Sequence, residues 1–270
     1  MINSKFEKIA IWGVPRSGTS WLGQIFNSSP NIVYRFQPLF SHAFKHGLSA
    51  FSSKSDIEDF FNEILKTNDD FILNGLISES EKLVLKFKKK KSTHIVMKHV
   101  RYLHIVPNIL KKCDNIKIVG IVRNPCAVLS SWFNSKKEFK KEWTLIEEWK
   151  NGEKKNINRQ EEFFGYYKWK QVAYLFEELK KYQNFYLIDY NNLLLNTNKE
   201  IEEIFKFSNI KLTNQTINFL KKSKDIDCKD DYSVLKKKDN DFKWKESLPT
   251  EIVTFIRNDL NNTILEKYLS

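Results

Sequence analysis

The sequence predicts an α/β protein with a central parallel sheet, helices on both of its faces, and helical insertions. Three observations carry this. A short apolar run, Lys8–Trp12, passes through a turn-rich stretch, Gly13–Gly18, into Trp21, Leu22, Ile25 and Phe26 at helical spacing. Two further apolar runs of strand length, 94–98 and Ile116–Val122, flank a helical pattern at 103–112, so the two strands pair in parallel. A last strand pattern, 184–189, follows a long helical stretch at 157–182.

The remaining elements follow in order. Residues 55–66 combine a serine cap with a helical apolar stripe, and 79–90 read as a second, more basic helix. After the last strand, helices are expected near 197–206, 214–222 and 249–268. No Pro- or Gly-rich linker and no repeat divides the 270 residues, so one domain, 1–270, is expected, with insertions at 40–92 and 135–180 walling a cleft.

Composition excludes several classes. With 41% hydrophobic and 29% charged residues the chain is neither collagen-like, disulfide-dense nor wholly disordered. The net charge of +12 draws anions without naming one, and a Lys- and Asn-rich coding bias yields the same excess. Cys113, Cys126 and Cys228 have no metal-ligand spacing, and an odd thiol count suits a reducing, cytoplasmic location. Residues 1–8 are polar and the apolar run 9–14 is too short for a signal segment, while no window reaches the ~18 apolar residues of a membrane span. Membrane contact is therefore expected to be peripheral at most. The lysine run at 86–91 either grips a polyanion or membrane surface or is a solvated helix end. It lacks interleaved aromatics, so no nucleic-acid partner is expected. No pattern of metal ligands is present, and no metal is expected.

Two motifs carry chemistry. In Gly13-Val-Pro-Arg16-Ser17-Gly18-Thr19-Ser20-Trp21 the Gly-x4-Gly frame of a phosphate-binding loop stands between strand and helix, but Thr19 replaces the lysine of a Walker loop. Backbone amides at the helix start would still cradle a phosphate, with Arg16 supplying charge. The alternative is a plain glycine turn. In the second motif, Arg123 ends a strand, Asn124 suits an N-cap and Pro125 the first helical position, which puts Arg123 at the ligand edge of a parallel sheet. Ser131 lies about two turns further along the same helical face, within range of one anion shared with Arg123. The alternative is a local ion pair for Arg123 and a solvent-facing Ser131.

These residues resemble a known family. The stretch from Pro15 to Leu22 looks like the 5′-phosphosulfate loop of sulfotransferases, and Arg123-Asn-Pro with Ser131 looks like their 3′-phosphate motif. Weaker echoes are Leu187–Leu193, with Tyr190, and the basic Lys236, Lys237 and Lys238 before Phe242–Leu248, similar to the segment closing over the cofactor. The resemblance implies a three-layer, P-loop-like fold. It also implies transfer of a sulfuryl group from 3′-phosphoadenosine 5′-phosphosulfate (PAPS), without metal, to a hydroxyl or amine of a carbohydrate-like or small-molecule acceptor. Arg16, Ser17, Gly18, Thr19 and Ser20 would then hold the 5′-phosphate, Arg123 and Ser131 the 3′-phosphate. Trp21 would either lie against adenine or pack in the core. Competing readings are a small-molecule kinase on the same loop and a non-catalytic nucleotide-binding protein.

The general base is the open position. Tyr34–Phe40 resembles the aromatic-Glu-Pro-Leu stretch of carbohydrate sulfotransferases, yet Gln37, which cannot take a proton, replaces the acid. Lys98 resembles the lysine that precedes the acceptor site in several branches. His99 follows it in a stretch, Met97–Arg101, resembling the segment with the catalytic histidine of cytosolic members, and His42 is the second candidate base.

Overall fold

The structure, a computed structural model, describes residues 6–76, 81, 85–226, 233–235 and 240–269. Five strands, β1 (Glu7–Trp12), β2 (Ile32–Phe36), β3 (His94–His99), β4 (Ile116–Val122) and β5 (Phe185–Asp189), form one sheet in the order β2-β3-β1-β4-β5. Every pairing is parallel. Both faces are covered, which is why β1, β3 and β4 read as nearly unbroken apolar runs rather than alternating ones.

The helices are α1 (Thr19–Asn27), α2 (Lys54–Lys66), α3 (Asp70–Asn74), α4 (Val106–Lys112), α5 (Pro125–Phe133), α6 (Leu145–Glu148), α7 (Glu153–Asn156), α8 (Tyr166–Leu179), α9 (Tyr190–Leu195), α10 (Thr197–Phe207), α11 (Asn214–Asp225), α12 (Trp244–Ser247) and α13 (Thr250–Leu260). On one face Leu22, Ile25 and Phe26 of α1 pack with Ile204, Phe205 and Phe219 against Val96, Val119 and Ile188. On the other, Phe61, Ile109, Leu129, Phe176 and Ile256 close over Ala10, Met97 and Ile118. The helix after β1 thus lies on one face and the helix after the adjacent β4 on the opposite one. Their starting loops diverge at the carboxyl ends of these central strands, where a parallel sheet opens its ligand crevice.

Several expected elements differ. β2 was not among the expected strands; its alternate residues Ile32, Tyr34 and Phe36 are buried. Residues 79–80 and 82–84 of the expected 79–90 helix lie outside the described residues, and Lys86–Lys91 are not helical. There the chain lies along Pro30 and Gln215: Lys90 N–H donates to Pro30 O and Lys88 N–H to Gln215 Oε1. The 157–182 helix begins only at Tyr166, because Ile157 and Asn158 adopt positive φ and Gly165 sits at φ 92°. The final helix stops at Leu260, and Asn262 at φ 59° turns the chain into a separate 3-10 turn. Cys113 and Cys126 are buried free thiols, whereas Cys228, Lys237 and Lys238 lie outside the described residues. Among the described residues no helix is long and apolar enough to cross a membrane, and no group of His, Cys, Asp and Glu is placed to hold a metal.

Candidate active site

The loop from β1 to α1 is shaped by two left-handed backbone positions, Arg16 at φ 71° and Gly18 at φ 91°. No side chain caps α1, so the first-turn amides of Thr19 and Ser20 are left for a ligand at the cavity. At Gly18 a Cβ would fall 2.4 Å from Tyr190 Cε2, so the loop needs glycine both for its φ and for the ring lying against it. Gly18→Ala is expected to lower stability by about 1–3 kcal/mol and to weaken nucleotide binding, checked by thermal melting and calorimetry on the same preparation.

Asn124 accepts from the backbone N–H groups of Cys126 and Ala127 at 2.9 and 3.3 Å, and Pro125 opens α5, as the sequence predicts. Trp169 Nε1 donates to the Arg123 carbonyl at 2.9 Å, pinning the junction from α8. Arg123 then reaches back: its Nη1 donates to Arg16 O at 2.7 Å, and Arg16 Nε donates to Ser131 Oγ at 3.0 Å. The guanidinium of Arg123 lies over the Tyr190 ring at 4.8 Å, and its Nε and Nη2 both bond the carboxylate of Asp241, the former at 2.8 Å. Trp21 is 2% exposed, donates to Ser223 Oγ at 3.0 Å and meets Tyr190 edge-on, so it is a packed residue that also walls the cavity.

One cavity of about 550 Å³ is lined by Arg16, Gly18, Thr19, Ser20, Trp21 and Arg123, with Ser131 and Tyr190. Ser17 is not on its wall; the side chain is fully buried beneath the loop. At the far end stand Phe36, Gln37, Phe40, Arg101, Glu138 and Phe164. Arg101 is held by Glu162 at 2.8 Å and lies 3.7 Å from the Phe40 ring centre, and Lys155 pairs with Glu138 at 2.8 Å. Gln37 takes a left-handed turn at φ 42° and its N–H bonds Lys98 O, tying this wall to β3.

Between the two ends sits Lys98, 2% exposed, its ammonium 4.6 Å from the Phe36 ring centre. Burial lowers its pKa to about 7; Glu138 opposes this, and Arg16 and Arg101 add to it. His99 is not with it. Consecutive strand residues point to opposite faces, so His99 turns into the other layer, stacked on Trp12 at 5.2 Å and off the cavity wall. Burial holds its imidazole near 3, far below the ordinary histidine range. This geometry corrects the expectation of His99 as base. His42 is exposed and also off the wall.

The family model for sulfotransferase domains matches residues 6–267. The chain belongs to the sulfotransferase domain family. Comparison with curated proteins gives no significant match. Among solved structures, a mouse sulfotransferase complexed with PAP shares 14% identity, covers 97% of this chain and 88% of its own, and superposes with TM-score 0.57. Retinol dehydratase, solved with androsterone and inactive cofactor PAP, shares 16% identity over 96% of this chain and 82% of its own, with TM-score 0.54. At these identities the likeness is one of fold.

This candidate site contains residues that sequence reasoning missed. Asp241 directly precedes the Phe242–Leu248 segment and Arg101 is the last residue of the Met97–Arg101 stretch, and neither carries a signal of its own. Glu138, Lys155 and Glu162 come from the 135–180 insertion, where no local pattern marks which charges turn inward.

Proposed function

We propose that this sulfotransferase moves the sulfuryl group of PAPS to a hydroxyl or amine of a carbohydrate-like or small-molecule acceptor. One observation supports it above the others: the two anion motifs, 115 positions apart between Arg16 and Ser131, meet by a direct 3.0 Å hydrogen bond at a single cavity. The residues fit the donor. Two arginines, uncapped amides at a helix start and the Trp21–Tyr190 wall suit a nucleotide with two separated phosphates. The buried indole N–H of Trp244, also on the cavity wall, has no partner among the described residues.

When bound, the donor would supply an activated sulfur, its bond to the 5′-phosphate oxygen being exchanged for one to the acceptor's oxygen or nitrogen. Arg16 and the Thr19–Ser20 amides hold the charge left on that phosphate oxygen. Arg123 and Ser131 hold the 3′-phosphate. Lys98, a neutral amine above its lowered pKa of about 7, takes the acceptor's proton at Nζ. The aromatic rings of Phe36, Phe40 and Phe164 offer the acceptor a stacking surface, which suits a sugar ring or a flat small molecule.

Calorimetry with 3′,5′-bisphosphoadenosine against ATP tests the donor. The bisphosphate is expected to bind at least tenfold tighter, and tighter ATP binding with metal-dependent turnover would replace this reading by the kinase one. Arg123→Ala is expected to weaken 3′,5′-bisphosphoadenosine by roughly 1.5–3 kcal/mol while adenosine 5′-phosphate changes little. Equal losses for both nucleotides would remove Arg123 from the 3′-phosphate site.

A further inference from the structure

Every guanidinium nitrogen of Arg123 is engaged by the protein. Nη1 donates to Arg16 O, while Nε and Nη2 form a two-point pair with the Asp241 carboxylate. The Nε–Nη2 edge, one of the two on which a guanidinium takes a phosphate, therefore carries a carboxylate of the chain itself. The pair is largely withdrawn from water, with side-chain exposures of 17% for Arg123 and 9% for Asp241. Asp241 and Glu138 are the carboxylates on the cavity wall among the described residues, and Glu138 is committed to Lys155. Asp241 is thus the one acid set against the arginines of the donor end.

We infer that Asp241 is an internal competitor for the donor's 3′-phosphate: it holds Arg123 in register and yields the Nε–Nη2 edge when that phosphate enters. The inference rests on the donor reading above. A carboxylate and a phosphate oxygen pair make the same fork-to-fork contact with a guanidinium, so one excludes the other at that edge. The phosphate carries more charge and brings a second contact at Ser131, which lets it win. Withdrawal of Asp241 also moves the neighbouring chain. Phe242 and the short helix α12 follow at once, and α12 is tied to α5 through the Ser247–Ser130 hydroxyl contact at 2.7 Å and carries Trp244 on the cavity wall. Donor binding through the 3′-phosphate is thereby coupled to the segment that follows Asp241 along the cavity wall, whereas a nucleotide lacking that phosphate leaves the pair closed. Asp241 is a positioning residue, and its effect is read on affinity rather than on the chemical step.

The test is calorimetry of Asp241→Asn and Asp241→Ala with 3′,5′-bisphosphoadenosine and with adenosine 5′-phosphate. Removing a charged competitor from a two-point contact is expected to tighten the bisphosphate about tenfold or more, with the monophosphate within about twofold of wild type. The same substitution made on Arg123→Ala is expected to have no such effect, because the edge competed for is gone. Unchanged or weaker bisphosphate binding in variants that keep monophosphate binding overturns the inference while leaving the donor reading intact. Failure of the wild-type protein to prefer the bisphosphate over ATP overturns both. Tightening that persists without Arg123 also overturns it, because the effect is then one of general charge.

Discussion

Lys98→Arg reduces turnover by about 10²–10⁴-fold while 3′,5′-bisphosphoadenosine binds as before, if Lys98 takes the acceptor's proton. Arginine keeps the charge and much of the length but has no neutral form at any working pH, so it separates proton transfer from electrostatics. For the wild-type protein, kcat rises with pH through about 7, where Lys98 loses its proton, and levels off above. The groups facing the amine are Arg16 from the β1 loop, Arg101 beyond β3 and Glu138 from the insertion, and the limb shifts upward in Arg101→Gln. Stability moves with the same group. The folded-state value lies below the ordinary lysine value, so the unfolded chain binds the extra proton, and stability rises with pH from about 7 toward the usual lysine range of about 10.4. His99→Ala serves as the contrast, with turnover within a few-fold but a lower melting temperature from the lost stack on Trp12. A Lys98→Arg enzyme with near-normal turnover, or a pH profile flat through 7, sinks the assignment.

For Arg16→Ala the loss falls on kcat, by about 10²–10³-fold, and exceeds the loss in donor affinity. Charge grows on the 5′-phosphate as its bond to sulfur breaks, so a cation fixed at that oxygen matters more in the transition state than before it. Arg16 is fixed by its strained φ of 71° and by its bond to Ser131, and both costs are met before any ligand arrives. Steady-state kinetics with bisphosphate binding measured separately gives the split. A raised KM at unchanged kcat would leave Arg16 a binding residue only.

Much of the local structure at the proposed donor site was legible in the sequence because each part is local. Gly18 before Thr19 and Asn124-Pro125 after Arg123 are backbone instructions that sit beside the residues they place, and β1, β3 and β4 announce themselves by unbroken apolar runs, whereas the edge strand β2, with only alternate residues buried, does not. The acceptor end obeys different physics. Which of Lys98 and His99 faces the cavity turns on a one-residue strand phase, and a step of one exchanges the two faces. That phase is set by which side of β3 packs on Trp12 and which on Phe36, both distant in sequence. The inward turn of Glu138, Lys155 and Glu162 likewise depends on short helices and left-handed residues in the insertion, which carry little periodicity to read.

The two ends of the cavity come from different stretches of chain. Arg123 and Tyr190 stand where β4 and β5 end, Arg16 in the loop after β1 and Ser131 on α5, all beside the central sheet, whereas Phe40, Glu138 and Phe164 lie in connecting segments and Lys155 on the four-residue helix α7. The architecture resembles a fixed chuck with a changeable jaw. In the proposed reading, drift in the connecting segments recruits a new acceptor while the donor contacts stay in place, and among the described residues Lys98 lines the cavity between the two.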